Sequence, residues 1–161
     1  IISVSERLPG TYKLGAGIND EYDFTFRLYS GLSYTNIGGT ARAFSTRVDL
    51  NNHVAKIGQP TYKGTLGYLE PFILDNLTSG RVNLTFVEVI KDLPEGDSKI
   101  ATIEQSNKID FSLQRELTRD LTFTWTVWSL DALRNYKVNA DPDSETEQVV
   151  IIGHVRLIVR Y

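Results

Sequence analysis

The chain of 161 residues contains no cysteine and no methionine. Without cysteine there are no disulfide bridges, no thiolate nucleophile and no cysteine-ligated metal centre. Without methionine the sequence, which begins Ile1-Ile2-Ser3-Val4, does not start as a primary translation product does. We therefore expect it to be processed, excised from something larger or incompletely represented, with a signal peptide, pro-segment, arm or neighbouring domain upstream. Histidine is scarce: His53 and His154 are the only two, which excludes a histidine-rich metal site. Charge of one sign does not dominate, since 17 Lys+Arg stand against 20 Asp+Glu for a formal charge of −3, so nothing pulls the whole chain toward nucleic acid. No apolar run reaches the roughly 18 residues of a membrane helix, and on that ground we expect no membrane span. Helix signals are few, and there is no repeat, low-complexity tract or linker. Residues 1–161 read as a single domain.

What the sequence has in quantity is alternation. The strongest case is the C-terminal stretch Glu147–Tyr161. Val149, Ile151, Gly153, Val155, Leu157, Val159 and Tyr161 share one parity. Gln148, His154, Arg156 and Arg160 share the other with Val150, Ile152 and Ile158. Side chains in a strand point alternately to opposite faces, so this pattern specifies a long strand with one apolar face. A glycine within that stripe points to a bulge or a close approach. A long apolar edge invites aggregation, so we expect this strand to be central or well paired. The same period of two runs through Tyr22–Tyr29, Phe44–Leu50, Val82–Ile90, Ile109–Leu113 and Leu121–Val127. Weaker alternation covers Ile2–Ser5, Gly10–Leu14, Ser33–Ile37, His53–Ile57, Leu66–Ile73 and Lys99–Glu104. Turn residues separate these runs: Gly38-Gly39, Asn51-Asn52, Gly58-Gln59-Pro60, Ser79-Gly80 and Pro94-Glu95-Gly96-Asp97. Ser129–Tyr136, capped by Ser129, and Leu113–Arg119 carry the only helical signals. The expected fold is all-β: an antiparallel, jelly-roll-like β-sandwich of about eight to ten strands, with one or two short helices in connections.

Chemistry-bearing patterns are weak. Asp141, Asp143 and Glu145 begin like an oxygen-rich cation loop, but the glycine and glutamate that an EF-hand needs are replaced by Thr146 and Ile152. They remain weak cation-site candidates, and a solvated acidic loop is the favoured reading. Glu88 interrupts the apolar parity Val82–Leu84–Phe86–Ile90. One carboxylate is half of a glycosidase pair and no second one can be placed, so we expect a face emerging into solvent or an arginine partner. No G-x-S-x-G elbow accompanies the histidines, and Gly15-Ala16-Gly17 lacks the following helix of a nucleotide site. We expect no catalytic residue, no cofactor and no metal. By parity Trp125 belongs to the apolar face and Trp128 to the opposite one, where Trp128, Tyr29 and Tyr34 would form a sugar-stacking platform. Asn76 and Asn83 each fit the N-glycosylation triplet. His154, Arg156 and Arg160 share the mixed face of the last strand and are the candidates for contact with a partner or with nucleic acid.

These observations lead us to expect a non-enzymatic structural protein, a virus or phage coat/capsid-type subunit that self-assembles in a virion. Homo-oligomerisation would use sheet or loop surfaces. Nucleic acid would be reached through an upstream arm not in this chain, because Ile1–Asp20 carry only Arg7 and Lys13 as cations. The alternative is an extracellular binding module: a pilus subunit, adhesin or carbohydrate-binding domain.

Overall fold

A computed structural model describes residues 9–19, 24–53, 60–73, 78–95, 98–118, 121–138 and 148–160. Eight antiparallel strands make up almost all of them: β1 (Gly10–Asn19), β2 (Thr25–Ile37), β3 (Arg42–His53), β4 (Thr61–Glu70), β5 (Thr78–Glu95), β6 (Ser98–Glu116), β7 (Thr122–Val138) and β8 (Gln148–Arg160). They form one sheet in strict sequence order, each strand paired with its predecessor and its successor. The all-β expectation holds. A second sheet facing the first, as in a sandwich, is not found among the described residues.

The expected helices are strands. Ser129–Tyr136 lies inside β7 and pairs with β6 from Asp110–Ser129 to Ile103–Tyr136. Its sequence supports both periods, since Leu130 and Leu133 are spaced for a helix while Leu130 and Ala132 alternate with Ser129 and Asp131. The waiting edges of β6 and β8 decide in favour of the strand. Leu113–Arg115 likewise continues β6. Several short runs fuse: Thr25–Tyr29 of the first run and Ser33–Ile37 meet in β2, and Lys99–Glu104 and Ile109–Leu113 in β6, while Tyr22 and Asp23 lie outside the described residues. Ile2–Ser5 lies outside the described residues, as does His53–Ile57 beyond His53.

The β2–β3 turn is tight and uses left-handed backbone. Asn36, Gly38, Gly39 and Ala41 all have positive φ. The Ala41 N–H donates to Asn36 Oδ1 at 2.9 Å, and the Thr40 hydroxyl to the Ile37 carbonyl at 2.6 Å. Asparagine and glycine tolerate this region, which is why the pair Gly38-Gly39 reads as a turn in the sequence.

Sheet register sorts the side chains onto two faces. One face carries the apolar parity of every strand: Tyr12 and Leu14, Leu28 and Leu32, Phe44 and Val48, Tyr62 and Leu66, Leu84 and Phe86, Ile109 and Phe111, Leu130, Ile151 and Leu157. The other carries Arg27, Tyr29, Arg47, Asp49, Lys63, Asn83, Lys108, Asp110, Ser129, Asp131, His154 and Arg156. No large apolar side chain is buried among the described residues. Of those that stand exposed within strands, all but Val150 and Ile152 lie on the apolar face. The polar face is the sheltered one. Ser129 is fully buried, while Asp49, Asp110 and Asp131 are half-buried. The chain exposes 12184 Å², whereas a compact monomer of its 18.2 kDa exposes about 8,000 Å². Among the described residues, the apolar side of the sheet is the exposed one.

β8 is an edge strand, contrary to the expectation for Glu147–Tyr161. It pairs with β7 alone among the described residues, and β1 at the other edge pairs with β2 alone. The sheet is open.

Candidate functional site

Each face has its own construction. On the apolar face, five aromatic residues and one valine follow one another as cross-strand neighbours: Tyr34, Phe44, Tyr68, Val82, Phe111 and Trp128. Trp128 reaches this row through a β-bulge. Phe111 opposes Trp128 and Ser112 opposes Thr126, so Val127 is the extra residue. One inserted residue flips the parity, and Trp125 and Trp128 therefore share the apolar face although three positions separate them. This overturns the opposite-face expectation for Trp128. It also breaks up the sugar platform, because Tyr34 and Trp128 lie on one face and Tyr29 on the other. Gly153 sits opposite Leu130, and an added Cβ would meet only the Ser129 carbonyl at 3.8 Å. The irregularity expected there belongs to the partner strand.

Polar side chains interrupt the apolar face at two levels along the strands. Beside the β2–β3 turn, Arg42 Nε donates to Glu70 at 2.8 Å and the Tyr68 hydroxyl donates to the same carboxylate at 2.9 Å. Toward the opposite end of the strands, Gln105 Nε2 donates to Glu88 Oε2 at 2.7 Å, and the Arg134 guanidinium lies 5.2 Å from the centre of the Tyr136 ring. Glu88 thus has a glutamine partner, not an arginine. It interrupts the apolar stripe of β5, which resumes at Ile90, opposite Ile103. On β8 the band runs from Val149 to Val159. Ten steps of about 3.4 Å make roughly 34 Å of strand.

On the polar face a network crosses the strands. Arg47 Nε donates to both Asp49 oxygens at 3.0 and 2.8 Å, and its guanidinium lies 4.5 Å from the centre of the Tyr29 ring. The Tyr29 ring in turn lies over Gly15, where an added Cβ would fall 2.3 Å from it. Further along, the Ser106 hydroxyl donates to Asp131 at 2.8 Å, the Ser129 hydroxyl donates to Asp110, and Lys108 Nζ stands 3.4 Å from the Asp110 carboxylate.

His154 lies opposite Ser129 on β8, Arg156 opposite Thr126 and Arg160 opposite Thr122. The three partner candidates therefore share the polar face, as their parity implies. Asp110, Ser129 and His154 follow one another across three strands. The serine hydroxyl is engaged with the carboxylate, which is not the serine–histidine–acid order that activates a nucleophile. Asp141, Asp143, Glu145 and Asn76 lie outside the described residues. Among the described residues no cluster of three His, Cys, Asp or Glu side chains is spaced to hold a metal. Asn83 stands on the polar face of β5, opposite Gly67 and Asp110.

Parity alone would have grouped Arg27, Arg47, Lys63 and Asp49. What hid them was the lack of register, since charged residues on three strands become neighbours only when the pairing is known. No family model, no curated protein and no solved structure matches the chain.

Proposed function

We propose that the chain is a non-enzymatic membrane protein whose sheet forms part of a transmembrane β-barrel wall, with its apolar face against lipid and its polar face toward water. The apolar face carries this reading: it covers all eight strands, has no protein partner among the described residues, and on β8 runs about 34 Å along the strand, enough at the usual barrel tilt of about 45° to cross roughly 25 Å of hydrocarbon. Lipid-spanning β proteins alternate apolar-out and polar-in, join neighbouring strands in sequence order and place aromatic residues at the interface level. No helix among the described residues is long and apolar enough to cross a membrane. A spanning strand needs only about 9–11 residues, and the eight strands here have 10 to 19. The expectation of no membrane span rested on helices alone.

A second reading keeps the self-assembling, coat-type subunit. There a second copy would lay its apolar face on this one and complete the two-layer sandwich, with Arg156 and Arg160 left on the outer face for a partner or nucleic acid. The uncovered face favours it equally; the length of the apolar stripe on β8 and the strict sequence order of the strands favour lipid.

Both tryptophans of the chain lie on the disputed face, so their fluorescence decides. Incorporated into vesicles whose acyl chains carry bromine, the protein should float with the lipid and lose most of its tryptophan emission. Protein that stays in the aqueous phase as a discrete oligomer, with its emission intact, would overturn the lipid reading and support the two-layer assembly.

A further inference from the structure

The polar face carries a cleft of about 430 Å³ between β1 and β4, lined by Arg27, Tyr29, Arg47, Asp49, Asn51 and Lys63 among others. We propose that it binds a small, doubly charged oxyanion of the phosphate type. The proposal rests on the preceding reading in one respect: the polar face must be the one left open to water.

Charge is the first argument. Three cations and one carboxylate line the cleft, a local balance of +2 in a chain whose overall charge is −3. The second is partnering. Asp49 is engaged by Arg47 through the two hydrogen bonds of its Nε. Arg27 and Lys63 meet no carboxylate within ion-pairing distance among the described residues. Lys63 is the cross-strand neighbour of Asp49, and Arg27 is the neighbour of Asn51 one step along. Both act on the Asp49 carboxylate through space. Two donors with no anion of their own thus stand on either side of an Arg–Asp pair that is already satisfied. A guanidinium and an ammonium together offer a fork and a point charge, the combination that suits tetrahedral oxyanions.

Shape is the third argument. β1 contributes only Ala16 and Gly17 to the lining, and an added Cβ at Gly17 would meet nothing within 4 Å. The Tyr29 ring, stacked under Arg47 and seated over Gly15, holds the arginine fork toward Asp49. The side chains that would close the cleft are missing and the one that could swing is pinned.

The test is calorimetric titration of inorganic phosphate into the protein, in maltoside micelles if it floats with vesicles and in buffer if it does not. Micelles without phospholipid keep headgroup phosphate out of the measurement. Saturable binding is expected, displaced by sulfate but not by chloride at equal ionic strength. Lys63→Gln and Arg27→Gln should each weaken it by about tenfold, with Lys137→Gln, on β7 and outside the cleft, unchanged. Absence of saturable binding, or binding that both variants leave intact, overturns the site. Because the lipid reading is judged by flotation and the site by titration, either can fail alone.

Discussion

At the scale of single residues, the polar face shows how a few side chains set the local order. Ser129 is fully buried and its hydroxyl meets Asp110, whose other close partner is Lys108 at 3.4 Å. Ser129→Ala leaves a sheltered carboxylate one donor short. A loss of about 1–3 kcal/mol is expected, read as a lower denaturation midpoint with unchanged denaturant slope. The glycines of β1 give a sharper contrast. In an ordinary strand, Gly→Ala gains about 0.5–1 kcal/mol through the unfolded chain. Gly17→Ala should show that gain. Gly15→Ala should not, because the new methyl displaces the Tyr29 ring and with it the stacking under Arg47, about 0.5–1 kcal/mol at an exposed site. Equal midpoints for the two variants would contradict the seat of Tyr29 on Gly15. The tyrosine, the glycine and the arginine are all visible in the sequence. Their meeting is not, because it depends on β1–β2 and β2–β3 register that no local pattern encodes.

At the scale of elements, period two located the strands well and helical spacing misled. Phe44–Leu50, Val82–Ile90 and the C-terminal stretch each lie within one strand at nearly the boundaries their alternation sets. Ser129–Tyr136 failed because its two periods coincide and neighbouring strands make the choice. The opposite-face reading of Trp128 failed for a related reason, since the inserted Val127 is legible only against a partner strand. The consequence of the insertion can be tested by deletion. Removing Val127 restores regular alternation, so Trp125 and Trp128 stay on one face and the loss should be small. Removing Ile152 from β8 moves Val155, Leu157 and Val159 to the polar face and should abolish folding into micelles, scored by resistance to protease. Tolerance of the Ile152 deletion would mean that the register of β8 is not held by its apolar stripe.

At the scale of the whole molecule, the lack of any buried large apolar side chain among the described residues is the finding that the sequence concealed most completely. Alternation announces one apolar face without saying what covers it, and a facing sheet is the commoner answer. Adjacent residues of β4 separate the answers. Leu66 is 44% exposed on the apolar face, and Thr65 beside it is on the polar one. Under the lipid reading Leu66→Arg puts a charge near the middle of the band and should cost about 2–4 kcal/mol in a vesicle folding titration, with Thr65→Arg within about 1 kcal/mol of the parent. If Leu66 instead faces water, its arginine variant will be as stable as the parent and more soluble. What was legible at this scale was the material of the wall, and what was hidden was its orientation.

The strict succession of strands carries one more consequence. Because each strand bonds only to the ones before and after it, every hairpin is a brick that knows only its neighbours. Such a wall can grow during synthesis in the direction of translation, each new strand settling against the last without waiting for distant sequence. It can also be lengthened or shortened in evolution by whole hairpins, changing the width of the sheet while leaving the pattern of each remaining strand untouched.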